Sequence, residues 1–246
     1  MVRYDQSGEY IDPMFSALFN RISATVPSHC EICHAWPSEP VCQGCIRRFS
    51  HAQPRCQTCA LRVPSSVLRC GVCVTQPSSL DACVAAVSYE YPWAGLVSLL
   101  KFNDRPAWAT QIAQVMQANT DVQHVLDAVD LVIPMPLSAA RLRTRGYNQA
   151  LVLAQALRIE KLNSALLLRI KETPALSLLD REDRLRAMTD AFAMEPLLAP
   201  KVRGKRIALI DDVMTTGATL HGAATVLKLA GAADVTGLVF ARTEVD

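Results

Sequence analysis

Short apolar runs separated by polar turns set the hydrophobic pattern of this chain. Near the start, Met14, Phe15, Leu18, Phe19 and Ile22 share one face at helical spacing, and Pro13 suits a first turn. A helix is therefore expected over 14–24, with its apolar face packed on the protein's own body. Residues 82–91 have strand composition with partial alternation; Pro92 to Gly95 break it, and 96–102 reads as a short helix. An amphipathic helix is expected from Trp108 to Met116, extending toward Val125. Residues 131–133, 207–210 and 235–240 are short, continuously apolar runs, as strands buried on both faces of a parallel sheet are. Residues 220–229 have helix-forming composition, and Gly231 stops that helix. The expected architecture is α/β with a mainly parallel sheet. Trp93, Phe102 and Trp108 fall at spacings that favour core packing over a base-stacking role.

Between the first helix and the first strand the pattern changes. Eight of the nine cysteines form four Cys-x-x-Cys pairs: Cys30/Cys33, Cys42/Cys45, Cys56/Cys59 and Cys70/Cys73. Two intervening residues let both sulfurs of a pair reach one ion, and two pairs complete a tetrahedron. Eight such ligands make two closed, structural zinc sites, and this Pro-rich stretch is too short to hold a core of its own without metal. Sequential pairing puts Cys30, Cys33, Cys42 and Cys45 on one ion and Cys56, Cys59, Cys70 and Cys73 on the other; interleaved pairing stays open. His29 and His34 read as surface residues beside ligands, and Cys83 as a small buried hydrophobe. The expected domains are an N-terminal helix over 1–27, a double zinc ribbon over 28–76, and the α/β domain over 80–246.

Composition narrows the picture only in part. Half the residues are hydrophobic, enough for a sizeable core, and the formal net charge is +2. That charge is unevenly placed: residues 134–206 carry fourteen Lys/Arg against seven Asp/Glu, a local balance of +7. A basic middle suits a polyanionic ligand or a nucleic-acid surface. Arg3, Asp5 and Glu9 have no apolar core between them, so no secretory signal is expected, and no apolar run approaches a membrane span. The expectation is a soluble, cytoplasmic protein with no membrane insertion, where cysteines serve as metal ligands more readily than as disulfides.

Two stretches carry chemistry. After the apolar run 207–210 come Asp211 and Asp212, then a Thr-Thr-Gly-Ala-Thr turn, then a helix. A strand, tight turn and helix aim backbone N–H groups and a helix N-terminus at one point, which binds phosphate. Gly217 would let the backbone approach closely. Two carboxylates beside a phosphate cradle suit ribose hydroxyls or a magnesium ion. In the second stretch, residues 131–133 run into Pro134, Met135 and Pro136, followed by Arg141, Arg143 and Arg145 at alternate positions. Such a run can form a cationic clamp for a phosphate group. His221 and Lys228 read as surface residues.

The run 207–219 resembles the phosphoribosyl pyrophosphate (PRPP) signature of type I phosphoribosyltransferases. The resemblance implies that Asp211 and Asp212 hold the ribose hydroxyls and act in catalysis, that PRPP is bound along Asp211, Asp212, Val213, Met214, Thr215, Thr216, Gly217, Ala218 and Thr219, and that Mg²⁺ accompanies it. It also makes Pro134, Met135, Pro136, Arg141, Arg143 and Arg145 the pyrophosphate loop. The cysteine module, the Tyr89-to-Trp93 and Leu99-to-Phe102 stretches, the Pro134-to-Gln149 segment and the PRPP signature occur in the order found in the ComF family, GntX-type members included. That resemblance implies a type I phosphoribosyltransferase-like domain carrying a double zinc ribbon, in a family associated with competence and DNA uptake. The implied activity is transfer of a phosphoribosyl group from PRPP to an unknown acceptor. The second reading is a PRPP- or nucleotide-sensing module that binds single-stranded DNA or a competence-type partner protein.

One segment departs from the family pattern. Leu176 and Ala187 stand where a Gln and an Asn are expected in the Arg-rich run 171–190, which resembles a hood loop closing over PRPP. No residue stands out as a general base; Tyr147 and Asp180 are candidates by position alone.

Overall fold

The computed structural model describes residues 28–102, 106–171 and 190–244. The helix expected over 14–24 and most of the hood-like run, including Leu176, Asp180 and Ala187, lie outside the described residues. The chain divides into two compact units, 1–48 and 49–246. The boundary falls inside the stretch expected to form one double ribbon. In the first unit, Val41 and Ile46 are buried with Cys30 and Cys45. Helix α1 (Gln43–Phe49) begins between the last two cysteines of its cluster.

The elements that follow run in sequence as α2 (Gly71–Thr75), β1 (Ala82–Ser88), α3 (Trp93–Phe102), α4 (Trp108–Gln117), α5 (Thr120–Ala128), β2 (Leu131–Pro134), α6 (Ala139–Arg145), α7 (Gln149–Ala156), β3 (Leu167–Arg169), β4 (Phe192–Met194), β5 (Arg206–Met214), α8 (Ala218–Leu229) and β6 (Asp234–Arg242). Four strands form an all-parallel sheet in the order β1-β6-β5-β2, and β3 pairs with β4 as a small antiparallel ribbon. The central strands β5 and β6 are apolar on both sides because helices cover both faces. α8 presents Leu220, Ala223, Ala224 and Leu227 to Ile207, Leu209, Val235 and Val239. α5 and α7 pack against strands of the same sheet, and α4 packs on both of them. The buried residues around α8 also include Cys56, Cys59 and Ala60, so the second cysteine cluster packs into the core of the larger unit.

Several boundaries differ from the expectation, each for a local reason. The helix expected to continue from 108 toward 125 breaks after Gln117. Asn119 caps α5, its side-chain oxygen accepting from Asp121 N at 2.9 Å and Val122 N at 3.2 Å. The strand expected over 207–210 runs on to Met214, because β6 continues beside it as far as the Met214–Arg242 pair. The arginine run expected as a clamp is helical: Ser138 caps α6, and Gly146, at φ 74°, closes it in the left-handed region. Trp93 is core, 1% exposed, with its ring edge-on to Phe240 and its indole N–H bound to the Phe49 carbonyl.

Candidate functional site

The adjacent strands β2 and β5 feed different helices: α7 packs over β2 and β5, and α8 lies with β4, β6 and β5. Connections that part in this way leave a crevice beyond the C-terminal strand ends. A cleft of about 220 Å³ opens there. Its walls include Asp211, Asp212, Val213, Thr215 and Thr219 from β5 and α8, and Met135, Pro136, Arg141 and Arg145 from the chain after β2. Asn148 braces the second wall, donating to Met135 O at 3.0 Å while its oxygen caps α7.

Asp212 is 6% exposed. Its Oδ1 accepts from Val213 N at 2.7 Å. Its Oδ2 lies 3.1 Å from Lys101 Nζ, close enough for an ion pair but without hydrogen-bond geometry. Among the described residues no group hydrogen-bonds that oxygen, so beside its Lys101 counter-ion it can still meet a hydroxyl or a cation. Asp211 accepts from Asp212 N at 2.9 Å. Burial, and then the neighbouring Asp212 charge, push the Asp211 carboxyl up to about 7. Four cations, Lys101, Arg141, Arg145 and Arg169, share the cleft with two carboxylates. The balance suits a ligand with several negative charges.

Gly217 sits at φ 81° as the N-cap of α8, and a Cβ there would lie 2.3 Å from Met214 Cε. The left-handed φ favours glycine, and a Cβ there would also force the flexible end of Met214 to move. Thr216 accepts from Ala218 N, an ST-type turn at the head of the helix.

The structure does not bring every expected residue to the cleft. Arg143 is exposed and outside the lining. On a helix, positions 141 and 145 share a face, whereas 143 points away from it; alternate spacing would gather all three only in an extended chain. Pro134 pairs beside Ile210 within the sheet, and Met214 is buried beneath the loop. Thr216 and Ala218 line a second cavity, of about 330 Å³. Tyr147 is absent from the cleft lining; its hydroxyl donates to Leu100 O, holding the end of α3 next to Lys101.

Lys101, Gln149 and Arg169 line the cleft although the sequence assigns them no role. Lys101 has a faint signal as the lone cation of an otherwise apolar helix. Gln149 is 3% exposed; its oxygen accepts from Arg145 Nη1 at 3.3 Å, and its Nε2 has no hydrogen-bond partner among the described residues. Arg169 arrives from β3, next to Phe192, and nothing in its sequence context marks it.

The cysteines gather as two groups in sequential order: Cys30, Cys33, Cys42 and Cys45, then Cys56, Cys59, Cys70 and Cys73. Sulfur separations of 3.8, 3.8 and 3.7 Å recur within them. Four thiolates about 2.3 Å from one zinc ion would stand about 3.8 Å apart, so both groups fit a tetrahedral metal. Cys83 is apart from them, and burial pushes its thiol up to about 12.

An open parallel α/β sheet with a cationic cleft at its strand ends and two four-cysteine sites able to hold zinc defines the class of protein. Competence protein F of Haemophilus influenzae is 31% identical over 167 residues, 65% of this chain and 72% of that protein. The DNA utilization protein YhgH of Salmonella typhi is 30% identical over 233 residues, covering 89% of this chain and 99% of the relative. The chain belongs to the ComF family. No family model matches it. Among solved structures, the allosteric regulatory enzyme of purine biosynthesis aligns over 58% of this chain and 30% of that one at 17% identity, with a TM-score of 0.38, too loose a likeness to add to the argument.

Proposed function

We propose that this protein binds PRPP with Mg²⁺ in the β2/β5 cleft and transfers its phosphoribosyl group to an acceptor, releasing pyrophosphate. The observation that carries the reading is the meeting of Asp211 and Asp212 with Thr215, Thr219, Arg141 and Arg145 around one cavity. In this reading Asp211 and Asp212 orient the ribose hydroxyls. Backbone N–H groups and hydroxyls of 215–219 hold the 5′-phosphate. Arg141, Arg145 and Gln149 hold the pyrophosphate, and Lys101 leaves Asp212 to meet the incoming negative charge. The bond from ribose C1 to the pyrophosphate oxygen breaks with its electrons on pyrophosphate, while the acceptor's lone pair forms the new bond at C1. Mg²⁺, when bound with PRPP, would lower the charge of the leaving pyrophosphate. Asp212 Oδ2, buried and held among the described residues only by its ion pair with Lys101, supports a cation or hydroxyl at that point once Lys101 turns to the ligand.

The two cysteine groups would each hold a structural zinc ion in a cytoplasmic protein, with a ribbon module and the cleft-bearing domain as the working parts. The relatives' names, with "competence" and "DNA utilization", support a role in the handling of incoming DNA. A second reading, a PRPP-sensing module that binds single-stranded DNA or a partner protein, draws on Arg143, whose exposed guanidinium is turned out of the cleft. The discriminating experiment supplies candidate acceptors with Mg²⁺–PRPP and measures pyrophosphate. Release that stops in Asp211→Asn supports the transferase; retained PRPP binding without release, alongside salt-sensitive DNA affinity, supports the sensor.

A further inference from the structure

Arg242 closes β6 opposite Met214 and is 3% exposed. Its Nε donates to the Cys59 carbonyl at 2.8 Å. Its Nη1 donates to Met214 O at 3.1 Å and also to Thr215 O and Thr243 O. One planar group therefore spans a ligand of the second cysteine cluster and the first residues of the loop before α8. A cation this deep is costly to bury unless its donors are matched, and the fork of a guanidinium fixes the relative places of its acceptors in a way an ammonium cannot. Next to this contact lies the cavity of about 330 Å³, walled by Cys59, Cys70, Cys73, Thr215, Thr216 and Arg242. Close packing therefore does not hold Thr215 and Thr216 on that side, and polar contacts help to set their position.

We infer that Arg242 is a positioning residue that passes the metal-bound state of the second cluster to the phosphate loop, so that residues 214–219 keep their binding geometry only while that cluster holds metal. The inference rests on the reading of 215–219 as the phosphate site. Metal bound through the sulfur of Cys59 anchors that residue, its carbonyl anchors Arg242, and Arg242 anchors Met214 and Thr215. Without the metal, the Cys56–Cys59 turn is released and the loop gains room in the adjoining cavity.

The test is amide hydrogen exchange on the full-length, zinc-loaded chain, set against Cys73→Ser and Arg242→Lys, with zinc per chain measured in each. Exchange at 214–219 should quicken at least about tenfold in both variants while 131–133 stays unchanged, since only local opening is involved. Arg242→Lys should do so with its zinc retained, which a merely core-filling arginine would not produce. Should Arg242→Lys fail to fold, Cys73→Ser decides alone. A zinc-depleted second cluster with 214–219 as protected as in the wild type overturns the inference, as does a zinc-loaded Arg242→Lys with unchanged protection. Mg²⁺–PRPP titrated into the same wild-type sample keeps the two ideas separate. Absence of binding sinks the phosphate-site reading, while the exchange result still decides whether the cluster and loop are linked.

Discussion

Asp211 carries the sharpest residue-level consequence. Its carboxyl is raised to about 7 by burial and by Asp212, against about 3.9 in an unfolded chain. The folded state then holds a proton that the unfolded state has released between those values. The stability tied to this group is fully present below about pH 4 and is lost as pH rises toward 7. Urea unfolding across that range should show the ligand-free protein losing stability, and Asp211→Asn should flatten the slope. Binding of a ligand through the ionised carboxylate should conversely strengthen as pH rises through 7, with a proton released. At Gly217 the backbone requirement is equally local. Gly217→Ala adds left-handed strain and a collision with Met214, expected to cost about 1–3 kcal/mol in thermal or chemical unfolding and to weaken phosphate binding. Cys83 should resist alkylation at neutral pH, because it is buried and its thiol is held protonated.

At the scale of elements, helix α6 decides which arginines work. Arg141→Ala or Arg145→Ala should weaken pyrophosphate or PRPP binding by about ten- to a hundredfold, the range for a lost charge-assisted contact. Arg143→Ala should stay within about twofold, as exposed charges do. Equal losses at all three would contradict the helical arrangement. This is also where sequence reading reaches its limit. The run from Ile207 to Thr219 is legible because its chemistry is contiguous: strand, carboxylates, turn and helix follow one another, and the fold needs only to keep them in order. The two sides of the cleft come from segments about seventy residues apart, and nothing local tells Lys101 or Arg169 that it will line the same cleft as Asp212. The arginine spacing misleads for a related reason. Periodicity assigns residues to a face only after the element type is known, and the Ser138 cap and Gly146 stop that make α6 a helix are weaker signals than the charge run they bracket. The cysteine pairs are legible throughout, since metal geometry is encoded in their spacing.

For the whole molecule, the two clusters differ in what surrounds them. The first stands in a unit whose described core is Ile32, Val41, Ile46 and two of its cysteines, Cys30 and Cys45. The second is packed among residues that also touch α8. A strong chelator should therefore unfold 28–48 first, read as early exchange of its amides, while the sheet persists to higher chelator concentration or longer times. Simultaneous loss would mean that both units depend equally on metal. Above all, the reading requires that carboxylates, phosphate loop and arginines act on one ligand. Calorimetric titration of PRPP into zinc-loaded protein, with and without Mg²⁺ and repeated on Asp212→Asn, asks that directly. Saturable, Mg²⁺-dependent binding that is lost or weakened at least about tenfold in Asp212→Asn is expected. No heat of binding in folded, zinc-loaded wild type, or equal binding by the variant, would contradict it.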